Sequence, residues 1–296
     1  MNPGGSQKDR IAVRMVADAE RDGRLRPGAT IVEPSSGNTG IALAMVAAVR
    51  GYKLIVCMPD RMSAEKSTIM QALGARIVRT PSGVPYDSPE SHFEMARKIC
   101  DQIDNAVLLD QYGNSSNPNA HYDTTAREIL DQTDRRLDMI VVGVGTGGSI
   151  TGIARRVKQV LPDCQIVGVD PYGSMVAEPD ELNRTSVTGY EIEGIGHDFV
   201  TDVLDRRLVD QWYKSDDRSS MEMSRRLIAA EGLLCGGSSG AVVSAAMSVA
   251  KQLDSDQRCV CLLADGVANY MTKFMDNQWM RDRNYSVVSA GITTDL

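Results

Sequence analysis

Three glycine-rich turns, each dense in hydroxyl side chains and each opening a helical pattern, constrain this chain more than any other feature of it. The first is Ser35-Ser36-Gly37-Asn38-Thr39-Gly40, after the β-branched run at 30–33. The second is Gly143-Val144-Gly145-Thr146-Gly147-Gly148-Ser149, after the run at 139–142. The third is Gly236-Gly237-Ser238-Ser239-Gly240. A helix N-terminus offers unpaired backbone N–H groups and the positive end of the helix dipole. Glycines let that backbone approach an anion closely, and hydroxyls add donors. A lone turn of this kind often does no more than join a strand to a helix. Three together point to a ligand carrying an anionic group and polar ring atoms.

Apolar periodicity supplies the frame around these turns. Strands are predicted at 30–33, 53–58, 76–80, 106–110, 139–144, 165–170 and 258–263. Helices are predicted at 9–22, 39–50, 64–73, 89–103, 122–132, 149–160, 219–231 and 239–253. Short apolar strands alternating with amphipathic helices predict an α/β fold of mostly parallel sheets covered by helices. In such sheets ligands bind beyond the carboxyl ends of the strands, where the glycine turns fall. The polar stretches 81–89 and 114–121 read as surface connections, and the second marks a lobe boundary. A smaller lobe is expected over 1–115 and a larger one over 116–296. The tail from 284 onward reads as loose.

Composition removes several classes of function. Acids outnumber bases 39 to 32, giving a net charge of −7, so no basic face is expected for nucleic acid. No apolar run approaches the roughly 20 residues of a membrane helix. The six cysteines form no CxxC pair, and MNPGGSQKDR carries no apolar signal stretch, which suggests a reducing cytoplasm. His92, His121 and His197 have no partners at ligand spacing, so no metal is expected. The pattern GxGxxG from Gly143 to Gly148 fits a nicotinamide fingerprint, and Asp170 stands about 20 residues on, as that motif requires. A dehydrogenase, however, needs neither the other two turns nor the segment that begins the chain. In that segment, Asn2-Pro3-Gly4-Gly5-Ser6-Gln7-Lys8, a lysine enters a helix from a glycine-rich loop. A positive helix end favours its neutral amine, the form that attacks carbonyls.

Taken together, the segments NPGGSxKDR, EPSSGNTG, ALGARIVRT, DSPESH, SNPxAHYDTTAxEIL, VGTGGSITGIAR, EGIGxDF, EGLLCGGSSG and NYMTKF resemble the cystathionine β-synthase and cysteine synthase family. These are two-lobed fold-type II pyridoxal-phosphate enzymes. DSPESH, AHYDTTA and NYMTKF are nearer the cystathionine β-synthase side. The resemblance implies that Lys8 bonds pyridoxal 5'-phosphate and moves the α-proton. It implies that Asn38 meets the ring hydroxyl oxygen and that Ser238 meets the pyridine nitrogen. Gly145, Thr146, Gly147, Gly148 and Ser149 match the phosphate cradle. Ser36, Gly37, Thr39 and Gln111 match the clasp on the substrate carboxylate, with Gly196 and His197 in the substrate-side EGIG turn. His197 stands where the family often has Tyr, and is expected to titrate near neutrality.

The implied reaction is β-replacement, joining L-serine and L-homocysteine in transsulfuration toward cysteine biosynthesis. Two alternatives stay open: a cysteine synthase using O-acetylserine and sulfide, and a truncated non-catalytic paralogue. A homodimer is implied. Only seven residues precede Lys8, fewer than the family's usual N-terminal segment, and the C-terminal regulatory pair has no counterpart. No haem is expected. Gly113 and Ala268 replace arginines of the animal enzymes, and Leu161 replaces the first cysteine of their CxxC.

Overall fold

The computed structural model describes residues 2–35 and 37–287. Two four-stranded parallel sheets organise them. The first contains β1 (Thr30–Pro34), β2 (Lys53–Pro59), β3 (Arg76–Thr80) and β4 (Ala106–Leu108), in the order β3-β2-β1-β4. The second contains β5 (Met139–Gly143), β6 (Gln165–Pro171), β7 (Gln211–Ser215) and β8 (Cys259–Cys261), in the order β7-β6-β5-β8. Val32 pairs with Ile55 and Leu108 in one sheet, as Val141 pairs with Val167 and Cys261 in the other.

The helices are α1 (Lys8–Arg21), α2 (Asn38–Arg50), α3 (Ala64–Ala72), α4 (His92–Gln102), α5 (Ser116–Ala120), α6 (Ala126–Gln132), α7 (Gly148–Val160), α8 (Asp217–Glu231), α9 (Gly237–Val249) and α10 (Asn277–Asp282). Strand side chains alternate between faces, so each sheet feeds two cores. Ile31, Leu54, Val56 and Met58 pack with Ile11 and Met15 of α1 and Ile41 and Leu43 of α2. On the other face Val32, Ile55 and Cys57 meet Ala96 of α4. In the second sheet Val141, Val167 and Val169 meet Ala241 and Val242 of α9, while Ile140, Val142 and Ile166 meet Ile150 and Ile153 of α7. Each such aliphatic side chain stabilises the fold by about 1.5–3 kcal/mol when fully buried.

The α/β class is the expected one, and the differences from expectation are local. The stretch 114–121 is not a surface connection. Most of it is α5, with Ser116, Asn117, Pro118 and Ala120 buried between α1 and α7. Its polar, proline-bearing sequence hides this because its hydrogen bonds are to side chains. Asn114 Oδ1 accepts from the Ser116 amide at 2.9 Å, and Ser116 Oγ donates to Asp18 Oδ2 at 2.7 Å. β7 was not expected, because QWYKS is polar and only its pairing with β6 makes it a strand. α10 was not expected either. Helix α4 begins three residues later than predicted, at His92 rather than 89. Ser91 caps it, accepting from the Glu94 amide at 3.1 Å. Of the tail, residues 288–296 lie outside the described residues.

Candidate active site

Three backbone segments meet at the cleft between the sheets. The Gln7 amide donates to the Ala264 carbonyl at 2.8 Å, and the Gly266 amide donates to the Gly5 carbonyl at 3.1 Å. On the other side of that segment, the Gly236 amide donates to the Asp265 carbonyl at 3.0 Å. These antiparallel bridges fix Lys8 at the start of α1 and Ser238 at the start of α9. Lys8 lines a cavity of about 730 Å³ together with Asn38, Thr39, Gln111, Gly145 and Thr146. That volume is within the range of small-molecule sites, roughly 300–1,000 Å³. Burial holds the Lys8 ammonium below the usual lysine range. Asp265 opposes that shift and Lys66 adds to it. The neutral amine expected from the helix end is therefore favoured mainly by desolvation.

Asp265 is a site residue that the sequence did not reveal. Its Oδ2 accepts from Asn38 Nδ2 at 2.8 Å and from the Tyr270 hydroxyl at 2.5 Å. Its Oδ1 is buried without a partner among the described residues. Burial raises its pKa. Asn38 Oδ1 accepts from Asn269 Nδ2 at 3.0 Å, so both ends of the Asn38 amide are held. The only sequence signal was position: Asp265 follows the carboxyl end of β8, where ligands bind in such sheets. Tyr270 also lies 3.3 Å from Lys66 Nζ, which is buried and paired with Glu193 at 2.6 Å.

The second glycine turn forms an anion nest. The amides of Gly145, Thr146 and Gly147 have no acceptor among the described residues. Gly147 sits at φ +85°, and an added Cβ would lie 2.5 Å from Leu204. Behind the nest, the Ser149 hydroxyl donates to Gln7 Oε1 at 3.0 Å and lies 3.1 Å from His121 Nε2. Since Ser149 spends its proton on Gln7, Nε2 carries the imidazole proton and donates. His121 Nδ1 then accepts from Thr125 Oγ1 at 2.9 Å, and Thr125 accepts from Arg10 Nη1 at 3.1 Å. Burial pushes the His121 pKa down to about 3, so the ring stays neutral.

The first glycine turn is held by side chains. Ser35 Oγ accepts from the amides of Gly37 and Gly40 at 3.2 and 3.1 Å. Thr39 Oγ1 donates to Gln111 Oε1 at 2.7 Å. Gln111 is anchored through its own amide, which donates to the buried Glu33 Oε1 at 3.0 Å. Gly37 leaves room for Lys66, whose Cδ would lie 2.3 Å from an added Cβ. Ser36 lies outside the described residues. Gly196 (φ +81°) packs against Pro171 and Tyr190, and His197 lines the cavity.

Residues 1–265 match the model of one family, described as pyridoxal-phosphate dependent enzyme. The chain belongs to that family. It is 58% identical over 284 residues to the cystathionine beta-synthase of Oryctolagus cuniculus, covering 96% of this chain and 52% of the relative. The chain thus spans about half the length of the curated relatives of that name. Among solved structures it resembles a hydrogen sulfide-producing enzyme from Fusobacterium nucleatum, with a TM-score of 0.85 and 36% identity over 91% of this chain and 88% of that one. It also resembles an O-acetylserine dependent cystathionine beta-synthase from Helicobacter pylori, with a TM-score of 0.84 and 34% identity over 92% and 86% of the two chains.

The residues present fit the cofactor of the pyridoxal-phosphate dependent family. An unfilled row of amides suits a phosphate, and a buried amine lines the same cavity. Ser238 is buried at the second position of α9 and faces Gly194, 3.9 Å from where a Cβ of Gly194 would lie. One expectation is corrected. His197 does not titrate near neutrality. It is half-buried against the rings of Tyr112 and Phe199, and burial, with His92 and Lys8 near it, pushes its pKa down to about 4.

Proposed function

We propose that this chain catalyses β-replacement, condensing L-serine with L-homocysteine to give L-cystathionine and water. The observation that supports this most is the shared cavity: the Lys8 amine and the amide nest at Gly145–Gly147 open onto one space. Pyridoxal phosphate, when bound, supplies the electron sink that makes the α-proton removable and the β-substituent a leaving group. In this reading the nest amides hold the phosphate, and Ser149 turns its hydroxyl proton from Gln7 toward it when the cofactor is bound. Asn38, oriented by Asp265 and Asn269, meets the ring hydroxyl, and Ser238 meets the ring nitrogen. Thr39 and Gln111, already hydrogen-bonded to each other, receive the substrate carboxylate. Gly37 and Ser36 complete that clasp, and Gly196 and His197 border the substrate. Lys8 Nζ takes the α-proton and returns it, which its lowered pKa permits. In net terms the Cβ–O bond of serine breaks, a Cβ–S bond forms and water leaves.

The lobes of this reading are residues 1–115 and 116–296, and the assembly is a homodimer. No helix among the described residues is long and apolar enough to cross a membrane, and all six cysteines are free, as a reducing cytoplasm favours. A second reading, a cysteine synthase using O-acetylserine and sulfide, draws support for its first substrate from the H. pylori relative, whose name specifies O-acetylserine.

Product analysis separates the two. Serine with homocysteine should yield cystathionine faster than O-acetylserine with sulfide yields cysteine, and the reverse ranking would overturn the first reading. Lys8→Ala should abolish the absorbance band of lysine-bonded cofactor, because Lys66 is committed to Glu193. A retained band would remove Lys8 from its role.

A further inference from the structure

The mouth of the cavity carries charges that the reaction at Lys8 does not use. Five Lys and Arg side chains line the cavity: Lys8, Arg61, Lys66, Lys273 and Arg283. Lys66 and Lys273 are both paired with Glu193, and Arg283 is paired with Glu191 at 2.5 Å. Lys8 is the catalytic amine. Arg61 therefore remains as a permanent cation with no carboxylate partner among the described residues. Its one side-chain hydrogen bond is a long one, Nη1 to the Tyr190 carbonyl at 3.4 Å, and a guanidinium has five N–H donors. Its backbone is pinned on both sides. The Arg61 amide donates to Ser82 Oγ at 2.9 Å, and its carbonyl accepts from Lys273 Nζ at 3.3 Å.

The acids sort in the same way. Glu191 and Glu193 are used in those pairs, while Asp198 lines the cavity with no ion pair or hydrogen bond among the described residues. Arg61 stands over Tyr190, its Cζ 5.8 Å from the ring centroid, and Tyr190 and Asp198 line the same cavity. A wall of rings lines the same cavity: Phe93, Tyr112 and His197, with Phe199 packed against them. Phe93 stacks edge-on against Tyr112 at 4.8 Å, Tyr112 against His197 at 5.3 Å, and Phe199 lies 5.4 Å from His197. The chain has only three phenylalanines, and two of them are in this wall, so it is a concentrated apolar surface in an aromatic-poor protein. Burial holds His92 and His197 at about 4, so neither imidazole adds charge at neutral pH.

We infer that this mouth is the subsite of the second substrate and is built for an amino-acid zwitterion bearing a thiol on a short methylene chain. Arg61 takes its α-carboxylate and Asp198 its α-ammonium. The ring wall covers the methylenes, and the thiol points inward toward Lys8. Hydrosulfide and 2-mercaptoethanol carry neither an α-carboxylate nor an α-ammonium to bridge the two charges. The inference deepens the reading above and rests on it for the identity of the first substrate.

The test is a split in kinetic constants of the holoenzyme. L-Serine is held saturating, and the KM is measured for L-homocysteine, hydrosulfide and 2-mercaptoethanol. Arg61→Gln and Asp198→Asn should each raise the KM for homocysteine about tenfold to a hundredfold, the effect of losing a charged hydrogen bond. The KM values for hydrosulfide and 2-mercaptoethanol should move less than about twofold on the same reasoning, since neither thiol carries the lost partner. A homocysteine KM unchanged in Arg61→Gln, or a rise shared equally by all three thiols, overturns the subsite. Calorimetric titration of homocysteine into the holoenzyme reads the same contacts without turnover. If the parent binds homocysteine, Arg61→Gln weakens that binding about tenfold or more, and serine is never consumed, the subsite stands and the reaction assignment fails. If the parent does not bind homocysteine, the subsite fails.

Discussion

The two sheets are wound alike, yet the turns at their switch points work by different means. In each sheet the first strand sits second from an edge, with the next two strands on one side and the last on the other. The glycine turns after β1 and β5 therefore open at equivalent places, the crevices at which strand order reverses. After β5 the groups presented to the cavity are backbone amides, set by Gly147 at φ +85° and by close packing on Asn117 and Leu204. After β1 they are the side chains of Asn38 and Thr39, each held by a residue far along the chain. The strands differ accordingly. The fourth residue of β1 is Glu33, buried and accepting from the amides of Asp110 and Gln111, whereas the fourth of β5 is the wholly apolar Val142. A backbone site needs shape alone. A side-chain site needs a supporting polar shell, and that shell makes the first turn sensitive to charge.

The largest test breaks the tie between the two halves. Lys66 of α3 and Glu193 beyond β6 form a buried ion pair, with side-chain exposures of 2% and 5%. Lys66→Met should cost about 3 kcal/mol, the low end for breaking a buried pair, because Lys273 still holds the other Glu193 oxygen. Chemical denaturation measures this, and a loss below about 1 kcal/mol would show that the pair does not hold the halves together.

A second test compares the turns directly. An alanine at Gly148 would place Cβ 2.0 Å from Asn117 Oδ1, a buried amide that also bonds the Gln111 carbonyl at 2.8 Å. An alanine at Gly40 would meet Met70 Sδ at 2.5 Å, the end of a flexible side chain, and Val56 Cγ1 at 3.2 Å, a contact relieved by a shift of a few tenths of an ångström. Gly148→Ala should therefore lose about 2 kcal/mol and Gly40→Ala less than about 1 kcal/mol, since alanine also favours the helix. Equal costs in a thermal melt would mean that both turns are equally rigid.

The smallest test uses pH. Burial raises Glu33 from 4.5 to about 8. A raised acid stabilises the fold fully below its unfolded pKa, and that contribution is lost as pH rises through the folded value. The stability read from urea unfolding should therefore fall between pH 6 and 7, by at most about 1.4 kcal/mol. The fall should be absent in Glu33→Gln. A parent midpoint flat across that range would place Glu33 in its charged form.

Much of this was legible in the sequence, and the exceptions share a cause. The strands of both sheets except β7, and all three glycine turns, follow from periodicity and from the backbone demands of helix starts. Lys8 was legible because it sits inside such a turn. Asp265 was not, although it holds Asn38 across 227 positions of chain. An isolated acid has no period, and its burial is decided by what folds over it. His121 looked like an unassigned loop histidine in a stretch read as surface. It is buried, and orients Ser149, because α5 is sandwiched between α1 and α7. β7 was missed because the ladder to β6, rather than its own residues, makes it a strand.

By itself, then, the sequence determined the alternation of strands and helices, the places where the backbone can cradle an anion, and the lysine at the first helix. Those depend on residues within a few positions of one another, where spacing dictates geometry. Only the tertiary structure decided which charges are paired and which are left over. It buries Glu193 between two lysines and leaves Arg61 and Asp198 without an ion pair among the described residues at the cavity. Electrostatic pairing depends on distance through space and on exclusion of water, and neither is set by distance along the chain.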